Sequence, residues 1–236
     1  MNRRNFLFAS SGAAAGTLLV SGIAEAEEGV KAPFAESGLT TGKLKPLRYK
    51  EVPGFLSAAQ IAPHHTAHYG GALKAFAGAE AKFEESFTKG TAIASAEFER
   101  LKQIQSSRGN SVILHETYFD GLALKATEPP EGIKKAIEKR FGSVEKWAVD
   151  FINSAKAAAG WALLVVHPIN GRLYNVVSDE HAQGPLWFSI PLVVIDTYEH
   201  AFYIDYQNKK ADYVEKFMQY IDWAEADRRY RATLKG

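Results

Sequence analysis

Apolar positions along this chain change their period, and the changes divide it. Residues 57–77 and 95–124 repeat alanine, leucine and aromatic side chains at helical spacing, with a polar break at Thr88, Lys89 and Gly90 between them. Two such helices joined by a short polar turn predict a hairpin. Pro129 and Pro130 end that pattern, and a new helix is expected from about Ile133. Residues 143–158 read as a further helix with Ser143 as its N-cap. The pattern then shifts to short β-branched runs at 161–166, 173–177 and 188–195, which predict three strands, the first two linked by the turn signal at 167–171. Helices are expected from about Tyr198 and about Asp212. The predicted fold is α+β: an N-terminal α-helical hairpin over residues 47–127, then an α/β domain over 128–236 with a three-stranded antiparallel sheet.

The first 26 residues read as an address. Arg3 and Arg4 precede a weakly apolar run rich in alanine, glycine and serine, and Ala24-Glu25-Ala26 has the form of a cleavage site. This predicts a twin-arginine signal peptide over 1–26, a flexible tether over 27–46, and a periplasmic or otherwise exported mature protein. The run falls short of the roughly 20 strongly apolar residues of a membrane span, so no stable membrane anchor is expected. Export of an already folded protein allows a cofactor to be inserted beforehand.

The chain has 28 basic and 27 acidic residues. Loss of the leader with Arg3, Arg4 and Glu25 leaves it formally neutral. No basic surplus is present to displace counterions from phosphates, so nucleic acid is not an expected partner. With no cysteine, an exported chain has no disulfide and depends on its core or on assembly.

Chemistry-bearing residues gather in three places. His64 and His68 stand four apart in a segment led by Pro63, His115 lies in the second long helix, and Asp196 and His200 emerge where the last strand gives way to a helix. Imidazoles and a carboxylate without thiols form a nitrogen and oxygen site for a borderline or hard metal ion.

These residues carry a family resemblance. Asp196-x-x-Glu199-His200-Ala201, followed by Tyr203, Tyr206, Asn208, Asp212 and Tyr213, resembles the Asp-x-Trp-Glu-His-Ala-Tyr signature of the iron/manganese superoxide dismutases. His64 with His68 is similar to that family's first-helix pattern, His115 with Tyr118 to its second-helix pattern, and Gly160-Trp161 and Asp222-Trp223 also match. The resemblance runs from about Leu47 to Tyr230. It implies one iron or manganese ion per chain, bound by His64, His115, Asp196 and His200 with solvent in a fifth position, and superoxide as substrate. It implies a homodimer in which Glu199 meets the partner's copy of His200, and His68 and Tyr203 meet across the interface. Tyr118 and Trp161 would wall the pocket. Iron and manganese both accept this donor set.

The chain also departs from the family pattern. The entrance tyrosine falls at Ala72, and the glutamine that handles protons falls at Ser111 on the second helix or at Ala182 on the loop after the second strand. His181 or Gln183 is the candidate replacement, with His181 preferred because imidazole both donates a hydrogen bond and passes a proton. Tyr198 stands for the signature tryptophan, Phe119 for the aromatic after the His115 motif, and Lys210 for the funnel arginine. The expected function is dismutation of superoxide by redox cycling of the ion. The rival is a metal-binding structural or sensing protein on the same fold.

Overall fold

A computed structural model describes residues 36–184 and 186–234. The expected signal peptide and the first part of the tether lie outside the described residues. From Ser37 onward the expected tether is pinned to the body. Ser37 caps a one-turn helix α1, Gly38–Thr41, and the Gly38 amide donates to the buried Glu116 carboxylate at 2.7 Å, which also accepts from the Tyr69 hydroxyl at 2.7 Å. A buried carboxylate with two donors holds this segment against the second long helix.

The hairpin is longer than the apolar period indicates. Helix α2 spans Ala58–Pro63 and is capped by Ser57. It runs through a π-helical turn, His64–Tyr69, into α3, Gly70–Lys89. Pro63 has no amide hydrogen to give to the carbonyl of Ala59, and the ladder widens immediately after it. Gly90, at φ 63°, ends α3 in the left-handed conformation. Helix α4, Ser95–Asp120, returns alongside, and Gly109 allows it to approach the Phe76 ring.

Helices α5, Glu131–Phe141, and α6, Val144–Ala157, follow the two prolines, and Ser143 caps α6. Strands β1, Trp161–His167, β2, Arg172–Ser178, and β3, Ile190–Asp196, form an antiparallel sheet in the order β2-β1-β3. The first six residues of β1 are buried, because the central strand is covered on both faces. One core joins Val52, Tyr118, Phe151, Leu164, Ile195 and Phe217, so the hairpin and the sheet share their interior.

Three expectations are corrected. The third strand begins at Ile190, since Phe188 sits at φ 70° and is exposed. The helix expected from Tyr198 is a 3-10 turn, Glu199–Ala201, followed by the short α7, Tyr203–Tyr206. The Asp196 carboxylate accepts the Tyr198 amide at 3.0 Å and bends the chain before a full helix can start. The helix expected near Asp212 is α8, Lys210–Phe217, and a further helix α9, Trp223–Ala232, was not expected. That segment is mostly polar, with a narrow apolar stripe of Trp223, Ala226 and Tyr230. It docks through Trp223 and Ala226 and through Arg229, whose guanidinium donates to the carbonyls of Thr117 and Leu192 and pairs with Glu225.

Candidate metal centre

Two ligand candidates sit on long helices, His64 where the π turn begins and His115 on α4 one turn before its end. Asp196 is the last residue of β3, and His200 lies in the 3-10 turn. Their donor atoms all fall within 4.8 Å of one another. One carboxylate oxygen, Asp196 Oδ2, stands 3.1 Å from His64 Nε2, 3.2 Å from His200 Nε2 and 3.8 Å from His115 Nε2. Asp196 and His64 are buried and His115 nearly so, while the His200 side chain keeps 21% of its surface.

His115 carries the clearest sign that the site fits a cation. Its Nδ1–H donates to the Ser111 carbonyl at 2.7 Å, which fixes the tautomer and leaves a bare lone pair on Nε2. That buried nitrogen has no hydrogen-bond partner. A buried acceptor facing a carboxylate at 3.8 Å gains nothing until a cation enters between them. Donor atoms no farther apart than this can be spanned by one ion with bonds of roughly 2.0–2.4 Å. The residues therefore fit an iron or manganese ion by donor type and by spacing.

Electrostatics prepares the same site. Burial lowers the basicity of His64 and holds His115 down at about 3, so both imidazoles are neutral ligands near neutral pH. Burial alone would raise the Asp196 carboxyl, but its hydrogen bonds to His200 and His64 outweigh that and keep it ionised, well below the usual carboxylate range. Asp196 Oδ1 is occupied by the Tyr198 amide, and its backbone carbonyl accepts the Tyr213 hydroxyl at 2.9 Å. Tyr213 spends its proton there, so Tyr118, at 3.0 Å, donates to the Tyr213 oxygen. Burial raises both phenols, and both stay protonated.

Around the quartet, Tyr118 packs against His64 at a centroid distance of 5.4 Å and Trp161 meets His115 edge-on at 4.9 Å. His68, on the surface, stacks on His200 at 3.7 Å with an interplanar angle of 10°. His181 approaches from the loop after β2. The Trp161 indole donates to its Nδ1 at 2.9 Å, so its proton is carried on Nε2, and the ring lies 6.5 Å from that of His115. Glu180 and His181 occupy left-handed backbone at φ 51° and 62°. Asp179 caps the Ala159 and Gly160 amides at 3.0 and 2.8 Å, and Tyr198 Oη accepts the Glu180 amide at 3.1 Å, so the loop is held against its strain. Gly160 is required there, because an added Cβ would lie 2.7 Å from the Ser178 carbonyl.

Other expected site residues lie further out. Gln183 is exposed, and its amide donates to Glu180 Oε2 at 3.1 Å. Lys210 lines a surface cleft of about 590 Å³ with Glu199 and His200, and its ammonium is engaged by the carbonyls of Ala158 and Lys156. Glu199 and Tyr203 are exposed. Ala72 is buried and brings no polar group, and the Ser111 hydroxyl lies 3.3 Å from His115 Nδ1 on the side away from the donor nitrogen. Sequence reasoning assigned no role to Gln60, Asp179 or Tyr213. Tyr213 lay within the quoted signature, whereas the partners of Gln60 are some 140 residues distant and left no local signal.

Comparison with known proteins bears on the same residues. The family model for iron/manganese superoxide dismutases, C-terminal domain, matches residues 129–229. The manganese superoxide dismutase 2 of Haloferax volcanii is 33% identical over 191 residues, covering 80% of this chain and 94% of that protein. The iron superoxide dismutase of Cupriavidus metallidurans is 37% identical over 183 residues, covering 76% and 91%. That of Aquifex aeolicus is 35% identical over 184 residues, covering 76% and 86%.

The depressed histidines predict an acid-sensitive metal-free protein. Burial holds His115 near 3 and His68 near 4 in the folded chain, against an unfolded value of about 6.5. As pH falls the unfolded chain takes up these protons first, so stability is complete above about 6.5 and declines down to about 4 for His68 and about 3 for His115, by at most about 1.4 kcal/mol per pH unit for each fully buried histidine. His68 contributes less because solvent reaches it. Urea denaturation of the metal-free protein between pH 8 and pH 4 should show this slope, and His115→Gln should flatten it. A slope unchanged by the substitution contradicts the assignment.

Proposed function

The chain belongs to the iron/manganese superoxide dismutase family, and we propose that it dismutes superoxide with one iron or manganese ion held by His64, His115, Asp196 and His200. The observation that carries this reading is the convergence of those four donor sets around a buried nitrogen with no partner. When bound, the metal supplies the one-electron couple that oxidises one superoxide and reduces the next. Relatives named for either metal stand at similar identity, and the donor set accepts both.

The protein's own work is to bind, orient and handle protons. Neutral imidazoles beside one carboxylate keep the charge of the donor set low, which leaves a positive centre to attract an anion. Tyr118 and Tyr213 lock the backbone of Asp196. Forming peroxide from superoxide consumes protons. His181 Nε2–H is the donor best supported for the pocket, because Trp161 occupies the other ring nitrogen and the capped loop holds the ring in place. Lys210 and the cleft beside His200 offer positive charge on the approach. A metal-binding protein with little dismutation is the second reading, favoured by Ala72, which has no polar group, and by Ser111, whose hydroxyl lies on the side of His115 away from the donor nitrogen.

Protein loaded separately with iron and with manganese should hold about one ion per chain and dismute superoxide with at least one of them; bound metal without activity selects the second reading. His181→Ala should lower turnover and shift the midpoint potential with metal content retained. Gln183→Ala should change neither, and the opposite pattern would sink the role given to His181.

Assembly as a homodimer is proposed from the family resemblance at Glu199, His68 and Tyr203, and is supported by the exposure of Glu199 and Tyr203 beside the partly exposed His200. A two-fold contact would let each Glu199 accept a hydrogen bond from the partner's copy of His200 and close that side of the site. Sedimentation at micromolar concentration should give a dimer, weakened by Glu199→Ala; a monomeric wild type rejects it.

Export by the twin-arginine route is proposed from Arg3, Arg4 and the cleavage site at 24–26. The full chain should appear in the exported fraction without residues 1–26. Replacing both arginines by lysine should hold it in the cytoplasm, and unaltered export would refute the route.

A further inference from the structure

His200 is the least anchored of the four candidate ligands. His64 and His115 ride on long helices, and Asp196 ends a strand paired with β1, where it sits opposite Trp161. His200 sits in a three-residue turn that lacks a side-chain cap, and its side chain is the most exposed of the four. Something outside that turn must fix its backbone.

Gln60 does so, and it stands one helical turn before His64. Its side chain is buried, at 1% exposure. The amide nitrogen donates to the His200 carbonyl at 2.6 Å, and the amide oxygen accepts from the Ile204 amide at 2.9 Å. One planar side chain therefore spans the turn on both sides of the ligand, using the donor and the acceptor that its carboxamide provides together. Because Gln60 and His64 share one stretch of helix, the same amide fixes the backbone of the second-half ligand relative to that of the first.

We propose that Gln60 is a positioning residue for the metal centre: its carboxamide ties the His200 turn to the helix carrying His64 and thereby sets how firmly the ion is held. The inference rests on the four-ligand reading above. A nearby clamp separates positioning from plain stabilisation. The Asp205 carboxylate accepts from the Ser57 amide and hydroxyl, both at 2.7 Å, and so joins the same two segments without touching His200.

The test compares the metal-loaded wild type with Gln60→Met, Gln60→Glu and Asp205→Ala. Release of iron or manganese to a chelator is followed together with the electron paramagnetic resonance of the iron(III) protein and the unfolding midpoint of each metal-free chain. In its ionised form, reached at alkaline pH where the measurements are made, Gln60→Glu retains an acceptor for Ile204 and lacks the donor for His200, so it isolates the contact to the ligand and serves if the methionine variant folds poorly. Both Gln60 variants should release metal faster by about 10- to 100-fold, the scale for partners that orient metal ligands, and alter the resonance. Asp205→Ala should lower the metal-free midpoint while leaving release and resonance at wild-type values. Release from the Gln60 variants at the wild-type rate, or raised no more than in Asp205→Ala, overturns this inference alone. A wild type that takes up neither metal overturns the four-ligand reading and this inference with it.

Discussion

A carboxylate with no exposed surface, Asp196, faces three imidazole nitrogens within 3.8 Å, one of them without any hydrogen-bond partner. Placing an ionised group there is costly without a cation to pair with it. The polypeptide lessens that cost by giving Asp196 Oδ1 the Tyr198 amide and the Asp196 carbonyl the Tyr213 hydroxyl. It leaves the His115 nitrogen bare. Several elements of the fold serve this meeting: β3 delivers the carboxylate, β1 sets Trp161 opposite it, and the two long helices bring a histidine each.

That arrangement demands that the hairpin and the sheet hold still relative to one another. The shared core does most of this non-directionally, through the burial of large side chains such as Tyr118, Phe151, Trp161 and Phe217. Directional contacts then set the register. Arg229 ties α4, β3 and α9 by its carbonyl and carboxylate contacts, and Glu116 fastens the segment after residue 36 to Tyr69. The π turn between α2 and α3 belongs with these. It carries His64 onto Asp196 while leaving His68 to stack on His200, so one irregular turn serves two rings.

Local chemistry made much of this legible. The helix-to-strand change of period, the prolines at 129 and 130 and the Ser143 cap act over a few residues, and the elements appear close to where they indicate. The candidate ligands were readable for the same reason, since spacing and motif are local. What escaped depends on partners far along the chain. Helix α9 has only a narrow apolar stripe, Trp223, Ala226 and Tyr230, and docks also through a buried guanidinium. The 3-10 turn in place of a helix at Tyr198 follows from a carboxylate that must stay where the histidines need it. The ordering of residues 37–46 turns on Glu116, a charged residue that composition alone assigns to the surface.

The replacements around the pocket follow one physical logic. A ligand must present a lone pair at one point, so its residue type is tightly constrained; a group that donates a hydrogen bond to the pocket need only reach it, from any element. Ser111 supplies the carbonyl that sets the His115 tautomer, a role open to any residue at that position, and its hydroxyl lies at His115 Nδ1, on the side of the ring away from the donor nitrogen. His181 comes instead from a strained loop, and its imidazole takes from Trp161 the bond that leaves Nε2 as the donor. Two consecutive left-handed residues are an improbable local choice unless something holds them, and Asp179 and Tyr198 supply the holding contacts. Tyr198 thereby connects both features, since its amide fixes Asp196 and its hydroxyl fixes the loop bearing His181. The site's carboxylate and its candidate proton donor thus share one positioning residue.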